Sequence, residues 1–426
     1  MNISFDMRTR YKVLAVIALV LTGCAIAAYL IHTLVLFPTL AEEARSPDEA
    51  LRPVRLFSPD LRDDSPMESL ERAVRKSLEY LSRLDEEHVF HYGDQAVSCR
   101  RMRETQERFL ALIAERPSMK DLEQTVKDEF TLLRAAGRKG NRRVLFTGYF
   151  EPVYDGSLVP DDTYRYPLYG QPEDILRIDL SPFGESLRGK RITARIEGQK
   201  LLPYHSRQEI EEQGALAERG LEIVWLKDPV DVAFLHIQGS GRIRLPDGTA
   251  ISVGYAGSNG RPYRSIGRYM LDHDYLTREE MSMQAIRRYL RDHPGVRDEI
   301  LNHNTSYVFF SRKENGPFGN INVQLTPGRS VALDARLFPK GALCFVVAQK
   351  PVVRDGDICE WTEMSRFLLN QDTGGAIRGA GRADIFWGRG PYAELAAGHM
   401  KHEGELYVLL LKERKGLKRR IRGLKD

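Results

Sequence analysis

Cysteine is scarce in this chain, and zinc-binding spacing is missing: Cys24, Cys99, Cys344 and Cys359 form no CxxC pair. A structural zinc site needs four ordered ligands, so no metal is expected. Beyond the first forty residues three cysteines remain, enough for one disulfide at most, with Cys344 and Cys359 the nearest pair. Phosphate loops are missing as well. Neither a P-loop nor a GxGxxG string occurs, and no cofactor is expected. Charge of one sign is in small excess, with a formal net charge of +4. Most of that excess sits in the tail from Lys412 to Asp426, where eight basic residues face Glu413 and Asp426, so the body is slightly acidic. Without an RNP, finger or basic-helix motif, nucleic acid is not an expected partner. The tail reads as a solvated end, or as a contact for anionic lipid or cell-wall polymer.

What is present is an ordinary globular composition, 42% hydrophobic and 29% charged over 426 residues. Single cores stop growing at roughly 250 to 300 residues, so two domains are expected. Arg8, Arg10 and Lys12 precede an almost unbroken apolar run from Val13 to Leu40. That run exceeds the core of a cleavable signal and suffices to span a bilayer, with its basic flank cytoplasmic. Inside it, Leu21-Thr22-Gly23-Cys24 is similar to a lipobox, which would leave Cys24 lipidated. Residues Ala25 to Leu36 stay apolar where a lipoprotein turns polar, which favours an uncleaved anchor over residues 1–40. Either anchor places the body on the periplasmic side of the membrane.

From Ala41 to Met67 the chain is rich in Pro, Asp, Glu and Arg, and reads as a linker. Between Glu68 and Ala136 apolar residues recur at helical spacing, the last series being Leu122, Val126, Phe130 and Leu133. Short β-rich runs follow: Val144 to Val153, Arg191 to Ile196, Leu221 to Trp225, Val232 to Gln238 and Thr249 to Tyr255. Pro246-Asp247-Gly248 marks a hairpin. Helices interrupt at Ser265 to Tyr275 and at Arg278 to Arg291, the second with Thr277 as N-cap and Glu280 three residues on. Strands resume at Ser306 and recur at Val331, Leu343, Arg366 and Tyr407. The pattern is that of a mainly β protein with helices, barrel-like rather than βαβ.

Three segments combine glycine with acids, hydroxyls and aromatics: Phe146 to Pro152, His236 to Arg242, and Gln371 to Gly388. Each alone is accounted for by a tight turn. Together they suit glycosyl chemistry, which needs a carboxylic acid held protonated beside apolar faces and neutral donors for sugar hydroxyls. Asp384 is followed by Ile385, Phe386 and Trp387, residues able to desolvate it.

These segments, with Tyr255-Ala256-Gly257, Tyr263-Arg264-Ser265-Ile266-Gly267, Met281 to Ile286 and Ser306 to Phe310 in order, resemble the MltA family of membrane-bound lytic murein transglycosylases over Phe146 to Leu411. The last part resembles that family's three-aspartate domain, with Asp334, Asp372 and Asp384. The resemblance implies a double-psi β-barrel built from both chain ends, residues 68–151 and 313–412. It also implies a smaller β-barrel inserted at 152–312, with a basic tail at 413–426. It implies cleavage of the β-1,4 bond between N-acetylmuramic acid and N-acetylglucosamine in peptidoglycan, without water, leaving 1,6-anhydromuramic ends during cell-wall remodelling. Asp384 is then the catalytic residue and Asp372 a supporting acid, while Asp334 reads as structural. Thr147, Gly148, Tyr149, Gln238 and Ser240 are the expected substrate-binding residues, with Trp225 and Trp387 as stacking platforms. Peptidoglycan strands and the membrane are the expected partners, and the chain is expected to be a monomer. A non-catalytic wall-binding module and, from Asp372-Thr373-Gly374, a dimeric aspartic protease are the competing classes. His399, His402 and Glu403 read as surface residues rather than a metal site.

Overall fold

The computed structural model describes residues 44–54, 59–139, 141–314 and 316–413. The expected anchor, with Cys24, and the tail past Glu413 lie outside the described residues. Among the described residues no helix is long and apolar enough to cross a membrane.

The chain opens with α1 (Pro47–Ala50) and β1 (Leu51–Pro53), then α2 (Met67–Leu81). A hairpin of β2 (Val89–Tyr92) and β3 (Gln95–Ser98) leads to α3 (Cys99–Ala114) and α4 (Met119–Glu129). Two strands follow, β4 (Phe130–Ala135) and β5 (Val144–Tyr149). A second group of elements then intervenes. Its strands are β6 (Val153–Ser157), β7 (Tyr166–Tyr169), β8 (Leu176–Asp179), β9 (Arg191–Glu197) and β10 (Lys200–Pro203). It continues with α5 (Arg207–Glu211), β11 (Glu222–Leu226), α6 (Pro229–Gln238), β12 (Ser240–Arg244) and β13 (Ala250–Ser258). It closes with α7 (Ile266–Asp272), α8 (Met283–Asp292), α9 (Pro294–His303) and β14 (Val308–Lys313). The first group resumes at β15 (Ser330–Ala332), β16 (Leu343–Arg354) and β17 (Asp357–Asp372). It ends with β18 (Arg382–Phe386), α10 (Pro391–His399) and β19 (His402–Leu411).

Strand pairing closes the first group into a barrel. The order β19-β16-β17-β15-β18-β5 returns from β5 to β19, a ring of six, with β4 and β1 appended to β19. Strands buried on both faces read as unbroken apolar runs, and Leu406 to Leu410 is one. Leu406, Val408 and Leu410 point into the barrel core with Cys344, Val346 and Leu368. Tyr407 and Leu409 point outward with Phe345, Phe367 and Leu369, where Phe109 of α3 and Val74 of α2 cover them. Cys344 is buried and free, and Cys359 is exposed and free. The second group forms the sheet β14-β13-β12-β6-β11-β7, with β8, β9 and β10 as a separate small sheet.

Four sequence expectations are corrected. The helix read through Leu133 stops at Glu129, and Phe130 begins β4 because its alternating residues fill both faces of the barrel wall. Val232 to Gln238 is helix α6, not a strand. Asp228 caps it, Pro229 opens it, Gly239 in left-handed conformation ends it, and burial of nearly every residue erases its helical stripe. Thr277 and Glu280 do exchange capping hydrogen bonds, but over an isolated turn; the following helix starts at Met283 with Ser282 as its cap. The described part of the linker is folded on the body: Leu51 pairs with Ala135, and Ala50, Leu51 and Leu61 are fully buried.

The strongest tie of that segment is an ion pair with no exposure on either side chain, Asp63 to Arg329 at 2.6 Å. Arg329 also donates to Ser69 Oγ and to the Ser65, Pro66 and Phe367 carbonyls. Removing one partner of such a pair strands a buried charge, at a cost of about 3–5 kcal/mol. Asp63→Ala is therefore expected to lower the urea midpoint of the protein by an amount in that range, with Asp60→Ala on the exposed Arg62 pair leaving the midpoint in place.

Candidate active site

The site is a row across four neighbouring strands. In β18, Asp384 lies opposite Thr147 of β5, and on its other side opposite Ala332 of β15. Ala332 in turn lies opposite Asp372 at the end of β17. Residues nearly 240 positions apart meet because strand register places them there.

Asp384 is half-buried, with one oxygen engaged: Thr147 Oγ1 donates to its Oδ1 at 2.7 Å. Among the described residues no hydrogen bond reaches its Oδ2. Burial raises the Asp384 carboxyl above the usual range, opposed by the Thr147 hydrogen bond and the positive charge of Arg382. Arg382 also reaches Thr147 Oγ1 at 3.4 Å. Tyr263, from the loop after β13, faces the same carboxylate and arginine, and burial raises its hydroxyl.

Asp372 has both oxygens engaged. Tyr149 OH donates to Oδ2 at 2.8 Å, and the Asn320 and Thr373 amides each donate to Oδ1 at 2.9 Å. Burial nevertheless pushes its carboxyl up to about 6, with the charge of Asp384 contributing in the same direction. Asp334 is different. Arg336 binds it through two nitrogens, the Gly379 amide donates to Oδ2 at 2.8 Å, and these outweigh burial to hold its carboxyl low. It pins the Asp372–Asp384 loop to the turn after β15.

Strand alternation sorts the remaining expected residues. Tyr149 and Phe386 lie on the Asp384 side, rings 5.3 Å apart, within a small apolar cluster containing Ala332 and Ile377. Ile385 and Trp387 belong instead to the barrel core. Desolvation of Asp384 therefore comes from Phe386 and Tyr149, and Trp387 is packing rather than a stacking platform. Gly148 faces Trp387: a Cβ there would lie 2.6 Å from the indole. Gln238, buried at the end of α6, accepts from the Phe150 amide at 3.0 Å, joining the second group to the strand that carries Thr147 and Tyr149. Ser240 opens β12 opposite Gly254, and no hydrogen bond among the described residues joins it to either aspartate. Trp225 sits mid-strand in β11, half-buried. Sequence reasoning missed Arg382, Asn320 and Tyr263. Tyr263 stands in a quoted motif, and Arg382 is two residues from Asp384, hence on the same face; Asn320 acts through its backbone and carries no side-chain signal.

The two groups also dock by side chains. Arg287 of α8 reaches Glu394 of α10 at 3.2 Å and Asp231 of α6 at 2.8 Å, and Gln284 donates to the Glu394 carbonyl. With Gln238 at one end and Tyr263 against the Gly375 loop, these contacts hold the second group beside the strand that carries Asp384.

A carboxyl raised by burial, with one oxygen that no described residue engages and with aromatic neighbours, suits general-acid cleavage of a carbohydrate. The MltA specific insert domain matches residues 145–311, and the 3D domain matches residues 329–410. Membrane-bound lytic murein transglycosylase A of Vibrio cholerae is 33% identical over 281 residues, covering 65% of this chain and 67% of that protein. The crystal structure of a membrane-bound lytic murein transglycosylase from Agrobacterium tumefaciens superposes with a TM-score of 0.70 at 30% identity, covering 85% of this chain and 98% of that one. MltA from Neisseria gonorrhoeae gives 0.60 at 29%, covering 88% and 97%. The chain belongs to the MltA family.

Because the Thr147 hydrogen bond holds the Asp384 carboxyl down, Thr147→Val is expected to raise it further. An acid is lost as pH rises through its pKa, so the alkaline limb of the kcat/KM profile should move to higher pH in the variant. A limb that stays put, or moves to lower pH, excludes Asp384 as the titrating acid.

Proposed function

We propose that Asp384 alone serves as acid and then as base in this lytic murein transglycosylase, an enzyme that cleaves the glycan strands of peptidoglycan. The observation that carries the reading is the contrast between the two central carboxylates. Asp372 has its oxygens taken by Tyr149, Asn320 and Thr373, which leaves it ill placed to activate a water. Asp384 Oδ2 is free to meet substrate. Hydrolytic glycosidases need a second carboxylate as nucleophile or base; here one acid does both jobs.

Protonated Asp384 donates to the oxygen bridging N-acetylmuramic acid and N-acetylglucosamine as the bond breaks through an oxocarbenium-like state. The carboxylate so formed then accepts the proton of the muramic C6 hydroxyl as that oxygen bonds to C1. The product is a 1,6-anhydro end, and no water is consumed. Thr147 and Arg382 hold the carboxylate in place and favour its charged form after transfer. Asp372 and Tyr149 shape the wall beside it. Gln238 and Ser240 are assigned to the rim where the second group meets the sugar, and Gly148 to the close approach of strand and indole beneath it.

The catalytic barrel is assigned to residues 68–151 and 313–412 and the insert to 152–312, with residues 44–54 and 59–67 counted with the barrel they pack on. Membrane attachment is assigned to the Val13–Leu40 run, with the body facing the periplasm. The Leu21-Thr22-Gly23-Cys24 string supports lipid attachment at Cys24 as the second reading.

Loss of a general acid costs on the order of 10²–10⁴ in rate. Asp384→Asn, nearly the same shape, is expected to retain glycan binding while release of anhydromuramic products from purified peptidoglycan falls at least that far. A folded wild-type protein that binds strands and releases nothing would establish a binding module instead, and full activity in the variant would remove Asp384 from the mechanism.

A further inference from the structure

An open pocket of about 350 Å³ lies against the turn that ends in Lys340, whose ammonium is close enough to Asp372 to feel its charge. Its walls are the turn Ala335–Lys340 after β15, the strand segment His88–His91 and Tyr80 of α2, and no acidic residue lines it. Four basic residues do: His88, His91, Arg336 and Lys340. Arg336 is paired with Asp334, and the exposed Asp48 faces His91. Lys340 is half-buried and has no hydrogen-bond or ion-pair partner among the described residues. Burial lowers its ammonium pKa, and the nearby Asp372 carboxylate opposes that. The turn is rigidly joined to the strand that carries Asp372: Gly341 N donates to the Asn370 carbonyl at 2.6 Å, and Asn370 Nδ2 donates to the Pro339 carbonyl at 2.8 Å.

A half-buried ammonium whose near carboxylate, Asp372, has its oxygens engaged by three other donors has room for a further anion. The glycan backbone offers none, because its hydroxyls and acetamido groups are neutral. On the sugar whose bond is broken, the lactyl arm of muramic acid does, either as its own carboxylate or as the carboxylates of a peptide stem attached to it. We infer that the Lys340 cavity receives a carboxylate carried on that lactyl arm, so that the enzyme recognises muramic acid by charge as well as by sugar shape. This rests on the function proposed above and adds a binding determinant to it. His88 and His91 rim the mouth, and Lys340 supplies the charge.

The test is binding, measured calorimetrically with Asp384→Asn protein so that no ligand is consumed. Three ligands are compared: stem-bearing strands, strands stripped by an amidase so that free lactyl carboxylates remain, and neutral chitohexaose. Adding Lys340→Ala is expected to weaken at least one carboxylate-bearing ligand by about tenfold while changing chitohexaose by less than about twofold, with Lys340→Arg restoring affinity. Loss confined to stem-bearing strands assigns the stem, and loss on stripped strands assigns the lactyl group. Equal weakening of all three ligands, or of none, overturns the inference. Wild-type enzyme that releases no anhydromuramic product while these affinities hold would count against the cleavage reading and leave the binding determinant standing.

Discussion

Thr147, Asp384, Ala332 and Asp372 form one row because the barrel closes in one register, with β18 held between β5 and β15 and β15 against β17. Slipping β18 by one residue would turn Asp384 into the core and bring Ile385 to the outer face. The core forbids it, since Ala383 and Ile385 are fully buried among Val331, Phe146 and Trp387. Apolar packing inside the barrel thus decides where the carboxylates stand outside it. Gly148 contributes from the same side, by letting Trp387 close against β5.

Given that row, small differences in surroundings divide the labour among three aspartates. Asp334, bound by a guanidinium and an amide, stays ionised and ties down a loop. Asp372 is crowded yet has both oxygens satisfied. Asp384 combines crowding with an oxygen that no described residue engages, the combination that the proposed acid role requires. The second group of strands matters because it is held against the barrel beside Asp384 through Gln238, Arg287 and Gln284.

Much of this was legible in the sequence where a signal was local. Asp-Gly after Pro246 marked its hairpin, and period-two and period-3.6 patterns found the long strands β13, β16, β17 and β19 and the helices α2 to α4, while short elements such as β18, which carries Asp384, went unread. The three glycine-rich acidic segments, read together, pointed to the site and its family. What was not legible depended on partners far along the chain. Phe130 to Ala135 continues a helical spacing, and only the neighbouring β19 makes it a strand. Residues 232–238 are buried on all sides, which removes the stripe that marks a helix. The segment before Met67 looks polar because its acids, Asp63 and Asp64, are spent on Arg329 and Arg366 in the body. Lys340 bears no motif at all, and its place in a wall with Asp372 as its near carboxylate is visible only in three dimensions.

The central claim is that the second step is carried out by the sugar's own hydroxyl rather than by water, and isotope incorporation tests it most directly. Purified peptidoglycan would be digested in heavy-oxygen water and the released muropeptides examined by mass spectrometry at early times. The account predicts products one water lighter than their hydrolysed counterparts, with no heavy oxygen at the new muramic end. Products carrying the heavy oxygen at that position would mean that water attacks C1, and that a second catalytic base operates at this site.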